Sequence, residues 1–62
     1  MSFTDFNEAI VAAHAEAKKN GYVAYAVQWP LGHSTVETRK PSLRDQRMRV
    51  VECFSNGDEN LA

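Results

Sequence analysis

Residues 22–29, Tyr-Val-Ala-Tyr-Ala-Val-Gln-Trp, contain no charge and are rich in aromatic and β-branched side chains. That is strand composition. Strict alternation puts Val23, Tyr25, Val27 and Trp29 on one face and Tyr22, Ala24, Ala26 and Gln28 on the other. Both faces are largely apolar, so the strand belongs in the middle of a sheet with cover on both sides. Only 62 residues are available to supply that cover. A chain of this size buries only about 60% of its unfolded surface, and its core rarely supplies more than about 3–5 kcal/mol. With one cysteine, Cys53, an internal disulfide cannot help.

The segment before this run reads as a helix. Ser2 or Thr4 can cap it, with Asp5 or Asn7 three residues on. Asp5 and Glu8 lie in the first turns and Lys18 and Lys19 in the last, as the helix dipole prefers. Asn20-Gly21 supplies the stop. Phe3, Phe6, Ile10, Ala13 and Ala17 recur at spacings of three and four and form one apolar stripe, with His14 beside it. The alanines between residues 9 and 17 favour helix and close packing.

Past the strand, Trp29-Pro30-Leu31-Gly32 has the residues of a β-turn with proline second. Ser34–Arg39 reads as the return arm of a hairpin, broken at Lys40-Pro41. The segment 43–54 fits two patterns. As a helix begun at Ser42, it would bring Leu43, Val50 and Phe54 within about 40° of one another. As a strand it is favoured by the adjacent Val50-Val51 pair. The strand is preferred. Ser55-Asn56-Gly57-Asp58 is a turn, and residues 58–62 are expected to be a frayed tail. The expected fold is a single α+β domain over 1–62: an N-terminal helix on a small three-stranded antiparallel sheet, α-β-β-β, with α-β-β-α as the alternative.

Chemistry is sparse. There is no nucleophile motif, His-Glu-x-x-His or phosphate-cradling glycine loop. His14, His33 and Cys53 are not paired at metal-ligand spacing. No catalytic residue, metal or cofactor is expected. The first residues lack the basic and apolar regions of a secretory signal, and no apolar run approaches the roughly 20 residues that span a bilayer. A cytoplasmic protein with no membrane association is the expectation.

Charge and apolar excess are more informative. Arg39, Lys40, Arg44, Arg47 and Arg49 are five of the seven cations and fall in eleven residues, with Asp45 the only acid among them. The acids gather on the helix and near the end of the chain. An arginine-rich window suits carboxylate or phosphate recognition. The net charge of -1 weighs against a dedicated nucleic-acid binder. If one helix covers the Ala24/Ala26 face, then Val23, Tyr25, Val27 and Trp29 are left bare, and bare apolar patches mark interaction sites; the alternative is that the loop from Lys40 to Gln46, or the C-terminal segment as a second helix, folds over that face. The sequence therefore points to a non-enzymatic protein-binding module, an inhibitor or modulator of a partner with an acidic surface, possible also as a homodimer. A small nucleic-acid-binding protein is the alternative. The expected partner-binding residues are Tyr25, Trp29, Arg44, Arg47 and Arg49.

Overall fold

A computed structural model of the chain describes residues 2–42 and 47–61. The helix α1 spans Phe6–Asn20 and is followed by strands β2 (Val23–Gln28), β3 (Ser34–Glu37), β4 (Arg49–Phe54) and β5 (Glu59–Leu61); a two-residue strand β1 (Ser2–Phe3) precedes it. The α+β class is as expected, but the sheet has five strands rather than three, in the order β1-β3-β2-β4-β5. Every neighbouring pair is antiparallel.

Both additional strands come from the ends of the chain. Ser2 and Phe3 pair with Thr35 and Ser34. Consequently the helix starts later than Ser2 or Thr4 would set it: Asp5 is the N-cap, and its carboxylate accepts from the Asn7 N–H at 2.9 Å. Glu59–Leu61, expected to fray, pair with Cys53, Glu52 and Val51. Arg49–Phe54 is a strand, which removes the helical alternative over those residues. Gly21 closes α1 at φ 75°, a left-handed conformation natural to glycine, and its N–H donates to the Ala17 carbonyl at 2.9 Å.

α1 lies on the Ala24/Ala26 face. Ala9, Ala13 and Ala17, one side of the helix at i, i+4 and i+8, are completely buried with Ala24, Ala26, Val51 and Cys53. Methyl against methyl lets helix and sheet approach closely. The larger Phe3, Phe6, Ile10 and Val36 pack around this strip and stay partly exposed.

The opposite face is not bare, contrary to the sequence reading. Val27 and Val50 are fully buried, and Val23 and Tyr25 are 6% and 9% exposed. β3 and β4 flank β2 and run parallel to each other. β3 ends at Glu37, level with Tyr25, while β4 begins at Arg49, level with Gln28. Met48, just before β4, packs on the second cluster together with Trp29 and Phe54.

Two substitutions test this packing. Val27→Ala should cost about 2–3 kcal/mol in urea unfolding, the transfer loss plus a residual cavity; a cost below about 0.5 kcal/mol would mean that the face is open. Ser34 is completely buried and its Oγ has no hydrogen-bond partner among the described residues. Ser34→Ala should therefore raise stability, by about 1 kcal/mol, and a loss of stability would show that the hydroxyl is bonded.

Candidate functional site

An exposed apolar side chain, Leu31, and an exposed cation, Arg49, lie at the β2–β3 hairpin end of the sheet. The turn is tied by Trp29 N–H to the His33 carbonyl at 2.9 Å and by Gly32 N–H to the Trp29 carbonyl at 3.0 Å. Gly32 holds φ 102°, which a side chain would resist. Pro30 restricts the backbone further. The Trp29 and His33 rings stack with centroids 6.3 Å apart, and the indole Nε1–H donates to Thr35 Oγ1 at 2.7 Å. Thr35 Oγ1 in turn donates to Glu37 Oε2 at 2.9 Å. At the apex of this braced turn Leu31 is 91% exposed.

Arg49 opens β4 directly opposite Gln28, at the same end. Its guanidinium stands over the Phe6 ring, 5.3 Å from the centroid, a cation–π contact that fixes the charge in place. No ion pair engages it among the described residues. Two exposed acids lie near Phe6 in sequence: the N-cap Asp5 and, in the first turn of α1, Glu8.

Of the five residues singled out from the sequence, the described ones lie in different places. Tyr25 is buried, in register between Glu37 on β3 and Glu52 on β4. Burial, then the charges of Glu52 and Tyr22, hold its phenol above the usual range, so it stays neutral. Trp29 is half-buried on the second face. Arg49 shares its face with Val51 and Cys53, toward α1, because residues two apart on a strand point the same way. Trp29 and Arg49 thus meet at one end of the sheet from opposite faces. Arg47 is exposed just before β4, and Arg44 lies outside the described residues. Arg39 and Lys40 follow the far end of β3, beyond Glu37. The sequence reading missed Leu31 and His33; the only signal for them was the Trp-Pro-Leu-Gly-His turn itself.

Thr35 Oγ1 is engaged by both Trp29 and Glu37, so the most connected hydroxyl braces the turn. Among the described residues, no three His, Cys, Asp or Glu side chains are gathered to hold a metal. No helix among them is long and apolar enough to cross a membrane. Cys53 is fully buried under α1, its Sγ 3.9 Å from the Ile10 carbonyl oxygen and 3.8 Å from that of Val51. Compared with protein-family models, curated proteins and solved structures, the chain matches none.

Burial, and after it the Glu59 carboxylate, push the Cys53 thiol from its ordinary 9.0 up to about 11. A group raised in the folded state contributes stability that is fully present below the unfolded value and lost above it. Urea midpoints should therefore fall as pH rises from about 9 to about 11. Cys53→Ala should remove part of that fall. An unchanged slope in the variant would show that the thiol ionises equally in the folded and unfolded chains.

Proposed function

We propose that the chain is a non-enzymatic protein-binding module that inhibits or modulates a larger partner by occupying part of its surface. The contact is the hairpin end: Leu31 as apolar apex, Trp29 and His33 as its brace, and Arg49 as the flanking charge. The observation that carries this reading is the 91% exposure of Leu31 on a turn held by two backbone hydrogen bonds, a ring stack and an indole bond. A preorganised apex loses little conformational entropy on binding. An arginine fixed on an aromatic ring steers toward carboxylates and accelerates encounter with an acidic surface.

The nucleic-acid alternative draws less support. A phosphate track needs the cations of the Arg39–Arg49 window in a row. Arg39 and Lys40 follow the end of β3 level with Tyr25, while Arg49 stands level with Gln28. That is three residues along β2, about 10 Å.

The test is capture of a partner from host extract with the folded wild-type chain, with and without nuclease, followed by affinity measurements on the purified partner. Leu31→Asp should weaken binding at least about 30-fold, as loss of a hot spot does. Arg49→Glu should mainly slow association and flatten its salt dependence. Lys19→Glu, on the exposed end of α1, should change neither. Binding unaffected by both hairpin-end changes, or lost on nuclease treatment, overturns the reading.

A further inference from the structure

We propose that β5 is a releasable edge strand, clasped by His14 and Glu59, and that the β4 edge beneath it accepts an extended segment of another polypeptide. Two features set β5 apart from the rest of the sheet. All three of its residues are exposed, Leu61 to 71%, so the strand gains little from apolar burial. It also covers only Val51, Glu52 and Cys53 of the six residues of β4, leaving the outer edge beside Arg49 and Val50 without a strand among the described residues.

Side chains supply what packing does not. His14 Nε2 lies 2.6 Å from Glu59 Oε1, a contact between residues 45 apart in sequence that joins the middle of α1 to the start of β5. Asn60 Nδ2 donates to Glu52 Oε1 at 3.2 Å across the β4–β5 pair. Both bonds are at the surface. A short exposed strand held by surface bonds opens at far lower cost than a core strand. Its departure would uncover the backbone N–H and C=O groups of β4, and an open sheet edge is a template for strand addition.

The pattern of β5 defines what would fit. Glu59 and Leu61 are two apart and share the α1 side of the sheet, opposite Cys53 and Val51. Glu59 meets His14 there. The incoming segment would run antiparallel to β4 and carry an acid facing His14, then any residue, then an aliphatic side chain facing Val51.

Only the existence of a partner rests on the binding-module reading; the opening of β5 is a property of this chain alone. Amide hydrogen exchange on the full chain tests the opening. The β4–β5 amides should exchange at least about a hundredfold faster than those of β2. Glu59→Gln and His14→Ala should each speed the β4–β5 set about fivefold further, leaving α1 and β2 unmoved. Equal protection of β5 and β2, or acceleration of all amides together, overturns the clasp. The docking half uses a synthetic peptide copying Gly57–Leu61, added to the Glu59→Gln chain and followed by β4 amide shifts. Saturable shifts, weaker for the peptide with Gln in place of its Glu, support strand addition. No shift in a chain whose β5 opens rapidly overturns it, and leaves the hairpin-end reading to its own test at Leu31 and Arg49.

Discussion

β2 is a largely apolar strand in a chain of 62 residues, and the rest of the structure follows from burying it on both faces. α1 can lie close on one face because contact is made by alanine on both sides: Ala9, Ala13 and Ala17 against Ala24 and Ala26. Larger side chains in that strip would lift the helix and open the edges that Phe6, Ile10 and Val36 now fill. The other face is covered as well: Val27 and Val50 are fully buried, and Trp29, Met48 and Phe54 pack on their cluster.

The same argument separates what was legible in the sequence from what was not. Strong local signals were readable: the strand composition around Val23–Gln28, the glycine stop at Gly21, the proline turn after Trp29, and the Val50-Val51 preference for strand. β1 and β5 were not readable. Ser2–Phe3 and Glu59–Leu61 are too short to show alternation and are polar enough to pass for ends. They are strands only because β3 and β4 offer them open ladders, and that is knowledge of the neighbour. The shift of the cap from Ser2 or Thr4 to Asp5 has the same origin, since β1 claims the residues before it.

The misjudged face has a related cause. Composition marked Arg39–Arg49 as a basic surface window, and a polar segment reads as solvated. The grouping of Tyr25 and Trp29 with the arginines failed on parity. Trp29 packs on the second cluster, whereas Arg49 points with Val51 toward α1. Register fixes the face of every side chain at once, and no residue's own chemistry reveals it. At the Trp29 end of the sheet the exposed large apolar side chain is Leu31, and Tyr25 is buried.

The two edges of the sheet complete the logic of so small a fold. A five-stranded sheet has two open edges, and an open edge invites association with whatever strand is near. Both are made from terminal residues, two at β1 and three at β5, and each is shorter than the strand it covers. Short, polar edge strands deter indiscriminate pairing. β1 is continuous with α1 through the Asp5 cap, so it cannot leave without disturbing the helix start. Among the described residues, β5 is linked to the helix by the His14–Glu59 contact. The sheet is therefore asymmetric in how its edges are guarded: by chain continuity at β1 and by a side-chain clasp at β5.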